Sequence, residues 1–420
     1  MFNKNLPKSI KPESLMMSYG YQSEWSEGAV KCPIFQTSTF AFRSAEEGKA
    51  FFEVAYGLRE KNPDENMGLI YSRLNNPDLE ILENRLCLWD KAEACAVFES
   101  GMSAISTVLL EYLKPGDLLI YSKPIYGGSD HFINHFLTKY GITVLGIHAD
   151  NTKDEIVQKI NTSGLSDRLG VIYMETPANP TNALMDIAMC REVADQFSTH
   201  DHPVQIAVDN TYMGPLWSQP LAHGANMVIY SATKYIGGHS DLIAGAVLGS
   251  NEVIQRIKGL RTFLGNMTGP WTGWLLMRSL ETLKARMEIQ LKNATIVAEY
   301  LDNHDQVEKV YYLGFIPEGT RQFEIYKKQY SSPGAMLSFD VIGGEAEAFN
   351  VLNNLKLIQL AVSLGGTESL AEHPYTMTHA DVSVDQKQAM GITEKMIRLS
   401  VGVENSDDII WDLEQALSQA

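Results

Sequence analysis

The chain has 420 residues, 45% of them apolar, enough for a large core and more than one compact unit ordinarily holds. Its 51 acidic residues outnumber the 34 basic ones, for a formal charge of -17, which excludes a general binder of nucleic acid or anionic membrane. No run approaches the roughly 18 apolar residues of a membrane span, and the opening MFNKNLPKSIKPE lacks the apolar stretch of a secretory leader.

Cys32, Cys87, Cys95 and Cys190 form no CxxC pair and show no metal spacing. They read as isolated, buried, small apolar side chains in a reducing compartment, so the expectation is a cytoplasmic protein without a metal.

In chain order, residues 1–75 do not read as a self-contained unit. Ser44-x-x-Glu47 is a capping box that predicts a short helix through Phe51 and Phe52. Gly57 to Gly68 (GLREKNPDENMG) holds too many breakers for regular structure. The segment is predicted to be an extended arm with a charged loop, reaching over a neighbouring subunit.

From residue 76 short apolar runs alternate with amphipathic stretches. Predicted strands are Ala94–Phe98, Leu118–Tyr121, Ile142–Ile147, Val171–Glu175, Gln205–Asp209, Met227–Tyr230 and Ala244–Leu248. They are apolar on both faces, as a parallel sheet covered by helices requires. Helices are predicted at Ser103–Leu113, Ser129–Lys139 and Ile187–Phe197. The repetition defines a doubly wound α/β unit over residues 76–282, with its ligand site at the carboxyl ends of the strands.

A long helical stretch around Trp274–His304 follows. Gly334–Ile342 and Met396–Val403 alternate like half-exposed strands, with helices around Glu345–Leu355 and Asp407–Ser418. Residues 283–420 therefore read as a smaller α+β unit.

Polar residues stand where the strands of the large unit end. Ala94–Phe98 runs into Glu99-Ser100-Gly101-Met102-Ser103 and directly into a helix, a turn that presents free N–H groups at the positive end of a helix dipole. Gln205–Val208 runs into Asp209, and Met227–Tyr230 into Ser231-Ala232-Thr233-Lys234. An amine, a carboxylate and a phosphate cradle on one sheet edge match pyridoxal phosphate: the lysine forms a Schiff base and the aspartate keeps the pyridine nitrogen protonated. Each piece alone is common, since such residues also cap helices and fill loops. A nicotinamide-dependent enzyme is disfavoured, because no GxGxxG follows the first strand.

Taken together, the motifs resemble the Cys/Met-metabolism pyridoxal-phosphate enzymes, the γ-family of cystathionine γ-synthase, cystathionine γ-lyase, O-acylhomoserine sulfhydrylases and methionine γ-lyase. The matching runs extend from Tyr19 to the C-terminus. They are Tyr71-Ser72-Arg73 with Asn76-Pro77, Ser100-Gly101-Met102, Tyr126-Gly127-Gly128, Glu175-Thr176-Pro177-Ala178-Asn179-Pro180 and Val208-Asp209-Asn210. Further on come Ser231-Ala232-Thr233-Lys234-Tyr235 with Gly237-Gly238-His239, then Ser363-Leu364-Gly365-Gly366, Met377-Thr378-His379 and Arg398-Leu399-Ser400-Val401-Gly402.

The resemblance implies the fold-type-I architecture: a mostly parallel central sheet with helices on both faces, plus the smaller C-terminal α+β domain. It implies a homotetramer built of dimers with shared active sites. Lys234 would bind the cofactor covalently and carry protons, Asp209 would pair with the pyridine nitrogen, and Tyr126 would stack on the ring. Gly101, Met102, Ser100, Ser231 and Thr233 would hold the phosphate, with Tyr71 and Arg73 reaching it from the neighbouring subunit. Glu175 and Asn179 would line the ring. Arg398 would grip the substrate's α-carboxylate as a bidentate pair, with Ser363 and Thr378 nearby.

The resemblance also bears on the reaction. Gly128 stands where methionine γ-lyases typically carry Cys, and Gly238-His239-Ser240-Asp241 and Gly334–Phe339 look like cystathionine γ-synthase. Val362 and Ile70 stand where members handling cystathionine or cysteine often have an acid, and apolar residues there suit an uncharged side arm. The expectation is γ-elimination from an L-methionine-like amino acid. The alternatives are γ-replacement on an O-acylhomoserine and elimination from an unusual γ-substituted amino acid, for which Asp130 and His131 would join the Gly57–Gly68 loop at the site entrance.

Overall fold

Seven short apolar runs build the larger of two sheets in this computed structural model, which describes residues 10–62, 65 and 68–419. The strands are β1 (Ala94–Phe98), β2 (Leu118–Lys123), β3 (Thr143–His148), β4 (Leu169–Glu175), β5 (Gln205–Asp209), β6 (Met227–Ser231) and β7 (Gly245–Gly249). Their order is β1-β7-β6-β5-β4-β2-β3. Pairing is parallel from β3 through β6, and only β7 runs antiparallel to both its neighbours. Alternate side chains feed two cores: Phe98, Tyr121, Tyr173 and Ile229 on one face, Ile120, Ile172, Met174 and Val208 on the other. Burial on both faces is why these strands read as near-continuous apolar runs.

Helices cover both faces, among them Gly101–Tyr112 and Ile187–Phe197. The expected helix over Ser129–Lys139 is instead three pieces: an α-turn at Gly127–His131, a π-turn at Phe132–Phe136 and a 3-10 turn at Leu137–Tyr140. The Asn134 side chain donates to the Asp130 carbonyl at 3.0 Å, and such side-chain competition opens a helical ladder. The long stretch around Trp274 also divides, into Pro270–Leu280 and Leu283–Asp302. Here Arg286 reaches back to the Ser279 carbonyl at 3.0 Å, serving a carbonyl that the interrupted helix leaves open.

The smaller sheet comprises β8 (Val307–Tyr311), β9 (Met336–Val341), β10 (Gln359–Leu360), β11 (Leu370–Glu372) and β12 (Met396–Ser400), in the order β10-β11-β12-β9-β8. β9 and β12 are buried throughout, not half-exposed as their alternation suggested. Helices Leu283–Asp302, Glu345–Asn354 and Ser406–Leu417 pack over the sheet, while Ser338 on its other side donates to the Pro180 carbonyl of the large unit at 2.8 Å. The polar residues in the alternation therefore face a neighbouring unit rather than water.

The arm helix forms at Ala45–Ala55 with Ser44 accepting the Glu47 N–H. The reciprocal half of the expected capping box is replaced: Glu47 accepts the Arg43 N–H at 2.7 Å and pairs with its guanidinium. Pro63, Asp64, Asn66 and Met67, within the predicted charged loop, lie outside the described residues. No described helix is long and apolar enough to cross a membrane.

Candidate active site

The parallel strands all point their carboxyl ends toward one edge, and there a cavity of about 280 Å³ opens. Ser100, Gly101, Met102, Tyr126, Glu175, Asn179, Asp209, Ser231, Thr233 and Lys234 all line it, ten of the residues singled out from the sequence. At one end the Gly101–Tyr112 helix begins, with Ser100 capping it through the Ser103 N–H at 3.0 Å. The N–H groups of Gly101 and Met102, in the first turn, have no intrahelical acceptor. A Cβ on Gly101 would lie 2.8 Å from the Ser231 Cβ, so only glycine lets β6 and the helix start approach this closely.

In the middle, Asp209 is buried at the end of β5. It accepts the Thr211 N–H at 3.0 Å and, more weakly, the Tyr173 hydroxyl at 3.4 Å. Beside it Glu175 ends β4, accepting the backbone N–H of Tyr126 at 2.8 Å and of Asn179 at 3.2 Å. Burial pushes both carboxyl groups upward, and the Asp209 charge adds to the rise at Glu175. Glu175 thereby pins the segment carrying Tyr126, whose side chain stays half-exposed at the mouth. A Cβ on Gly128 would meet the Tyr126 ring at 2.7 Å, so glycine at 128 is what lets that ring lie where it does.

Lys234 follows β6. Its Nζ donates to Ser363 Oγ at 2.7 Å, and its pKa is lowered to about 8, chiefly by burial and secondarily by the Arg398 charge. Ser363 is held with φ 106°, a sparsely populated backbone region that marks positional demand. The turn after Lys234 is clamped from behind by buried Arg286, which donates to the carbonyls of Tyr235 at 2.9 Å and Ile236 at 3.4 Å. Gly238 has φ +68°, and a Cβ there would lie 1.8 Å from Arg286 Nη1.

Arg398 sits on β12 across from Glu372 on β11 in the strand register. Its Nη1 meets Glu372 Oε1 at 2.6 Å and Asn179 Oδ1 at 3.1 Å, and its Nη2 meets the Ser363 carbonyl at 2.7 Å. The Thr378 hydroxyl donates to the same Glu372 oxygen at 3.1 Å. The structure therefore gathers Ser363, Thr378 and Arg398 around one buried ion pair.

Tyr71 and Arg73 are not among the residues lining the cavity of their own chain. Tyr71 bridges Thr39, and Arg73 donates to the Thr262 carbonyl at 2.7 Å. Asp130 also lies elsewhere, lining a smaller cavity with Lys123, His148 and His379, and His131 stands 3.7 Å from Asp381. Ile70 is buried within its own chain, whereas Val362 is half-exposed. Burial raises the pKa of Cys32, Cys87 and Cys190 to about 12 and pushes Cys95 well upward, which makes all four inert thiols. Among the described residues no His/Cys/Asp/Glu group has metal-holding geometry.

Sequence reasoning missed Glu372, Arg286, Tyr173 and Thr211. Only Glu372 left a signal, an acid placed six residues before Thr378 in a short apolar run. Thr211 follows Asp209 by two positions, whereas the contacts of Tyr173 with Asp209 and of Arg286 with Tyr235 join segments 36 and 51 positions apart.

These residues fit pyridoxal phosphate. The capped helix start and the Ser231 and Thr233 hydroxyls suit a phosphate, and a partly buried amine of lowered pKa suits an aldehyde. The buried carboxyl pair has only neutral hydrogen-bond partners, a setting in which a protonated ring nitrogen would supply the missing positive charge.

The family profile described as Cys/Met metabolism PLP-dependent enzyme matches residues 13–418. L-methionine γ-lyases are 36–40% identical to the chain. That of Fusobacterium nucleatum subsp. nucleatum is 40% identical over 93% of this chain and 94% of its own. The cystathionine γ-lyase of Bacillus subtilis is 34% identical, covering 97% and 99%. The crystal structure of cystathionine γ-synthase from Xanthomonas oryzae pv. oryzae, in complex with aminoacrylate and cysteine, superposes with a TM-score of 0.85 at 31% identity, covering 99% of each chain.

Proposed function

The chain belongs to the Cys/Met-metabolism PLP-dependent enzymes, and from that premise we propose that it eliminates the γ-substituent of an L-methionine-like amino acid. With water, the products are 2-oxobutanoate, ammonia and the γ-leaving group, a thiol when the substrate is methionine. The observation that carries this reading is Lys234, a partly buried amine of pKa about 8 in the same cavity as Asp209 and the capped helix start.

Pyridoxal phosphate, when bound, supplies an electron sink that makes the substrate's α and β protons acidic enough to move. The rest is done by the chain. Lys234 Nζ, largely neutral above pH 8, takes a proton from one substrate carbon and returns it to another, steadied by Ser363 Oγ. Asp209 holds the proton on the ring nitrogen. Tyr126, on a segment fixed by Glu175, stands at the mouth where a γ-substituent leaves and can protonate it. Glu175 and Asn179 would line the ring, and the N–H groups of Gly101 and Met102 with the Ser231 and Thr233 hydroxyls would hold the phosphate, beside the helix start that Ser100 caps.

Arg398 holds the α-carboxylate. A guanidinium has five N–H groups. Three of them serve Glu372, Asn179 and Ser363, which leaves two, enough for one bidentate carboxylate.

The phosphate has no arginine among the residues lining the cavity. That supports a homotetramer of dimers in which Tyr71 and Arg73 of a neighbouring arm complete the site. Phe263 (86% exposed) and Ile243 (67% exposed), the latter at the cavity, are apolar surface that a neighbour would cover. The division into an arm (1–75), a cofactor unit (76–282) and a C-terminal unit (283–420) and a cytoplasmic location belong to the same reading, the latter supported by four free cysteines.

Gly128 and the cystathionine γ-synthase superposition favour a second reading, γ-replacement on an O-acylhomoserine. The test is a 2-oxo acid assay on purified protein whose visible cofactor band vanishes in Lys234→Ala. Release of 2-oxobutanoate from L-methionine without added thiol supports γ-elimination. Turnover only when an acylhomoserine and a thiol are both present overturns it in favour of replacement.

A further inference from the structure

Arg398 holds the substrate carboxylate in the proposed function, and the role of its neighbour Glu372 rests on that proposal. The arginine is already paired. Glu372 is fully buried, stands directly across the β11–β12 register and touches Arg398 Nη1 at 2.6 Å. The Thr378 hydroxyl steadies the same oxygen, whereas Oε2 is buried with no hydrogen-bond partner among the described residues. Arg398 Nε is likewise buried and without a partner.

This arrangement is unlike an arginine dedicated to one ligand. A carboxylate arriving on the two remaining N–H groups shares one guanidinium with Glu372, and two carboxylates on one guanidinium lie roughly 6 Å apart. In a partly buried site, repulsion at that spacing exceeds thermal energy severalfold. The orphaned Oε2 has no donor to spread its share of the charge, so the repulsion is not screened locally.

We propose that Glu372 is a positioning and specificity-determining residue: it pins the Arg398 guanidinium and offsets its charge, so that the site holds α-carboxylates loosely. The consequence suits an elimination whose products include a 2-oxo acid. That product keeps its carboxylate after losing the ammonium group, and a fully cationic arginine would retain it. A weakened arginine releases the 2-oxo acid while the amino-acid substrate still gains from its second anchor, the amine.

The test uses holoenzyme and butanoate, a carboxylate with no amine to react with the cofactor, measured by titration calorimetry. Wild type should bind weakly and Arg398→Met should lose binding. Glu372→Gln, which keeps shape and a hydrogen-bond acceptor while removing the charge, should bind about tenfold tighter, and 2-oxobutanoate should become a correspondingly stronger product inhibitor. Glu372→Ser, a smaller neutral replacement, should also tighten binding, which protects the test if the glutamine variant folds poorly. If neither variant binds butanoate more than twofold tighter than wild type, the charge-offset proposal is overturned, with the Arg398 assignment intact. If Arg398→Met binds butanoate as wild type does, the assignment of Arg398 itself fails and the proposal falls with it.

Discussion

Arg286 and Gly238 should behave as one unit, with a coupling large enough to measure. Arg286 is a buried guanidinium with no carboxylate partner among the described residues; its donors go to the carbonyls of Tyr235, Ile236 and Ser279 and to Thr282 Oγ1. Arg286→Met leaves at least two buried carbonyls without a donor, at about 1–3 kcal/mol each. Relief of the burial that lowers the arginine's pKa to about 10 returns part of this, for a net loss of about 2–4 kcal/mol. Gly238→Ala adds a Cβ that would sit 1.8 Å from Arg286 Nη1. It displaces the same guanidinium and also incurs about 1–2 kcal/mol for a left-handed alanine. In the double variant only that backbone term remains to be added, so the two losses should fall short of their sum by about 2–4 kcal/mol. The assay is chemical denaturation of the four proteins, followed by tryptophan fluorescence for the fold and by the visible cofactor band for the Lys234 turn. Both single variants should also lose cofactor more readily, because Gly238 donates to the Lys234 carbonyl at 2.7 Å and closes that turn. Losses that add within about 0.5 kcal/mol would refute the reasoning.

The remaining predictions concern the cavity and its neighbour. Because the Lys234 pKa is lowered to about 8 from 10.5, uptake of pyridoxal phosphate by apoenzyme should accelerate as pH rises through about 8 and then level; continued acceleration toward 10.5 would contradict the partly buried, hydroxyl-bound amine. Between those values the unfolded chain holds more protons than the folded one, so apoenzyme stability attributable to this group should rise with pH across that window and not below it. Gly128→Ala places a methyl against the Tyr126 ring and should lower kcat/KM about tenfold with the cofactor band unchanged; an unaltered kcat/KM would show that the ring's placement is unimportant. Mixing inactive Lys234→Ala with inactive Arg73→Met under conditions of subunit exchange should restore about a quarter of wild-type activity, as shared sites in random dimers require; no recovery would place Arg73 outside the neighbour's site.

Much of the site was legible because its residues are local to strand ends. In a parallel sheet every carboxyl end faces one edge, so Ser100, Glu175, Asp209 and Lys234, scattered over more than a hundred positions, converge once the strands are recognised. The strands were legible for an equally local reason: β4 is apolar at nearly every position because both its faces are covered. Local periodicity carries no information about what lies across a sheet or behind a turn. The full burial of β9 and β12 depends on the large unit packing over them, and the break before Leu283 on a side chain reaching back to Ser279. The pairing of Glu372 with Arg398 is a matter of register between strands 26 positions apart, and the clamp of Arg286 on Tyr235 spans 51 positions. The chemistry was thus written in single residues at strand ends, whereas the charge balance around Arg398 and the support behind Lys234 exist only where distant segments are packed close enough, and dry enough, for charge and hydrogen bonding to act between them.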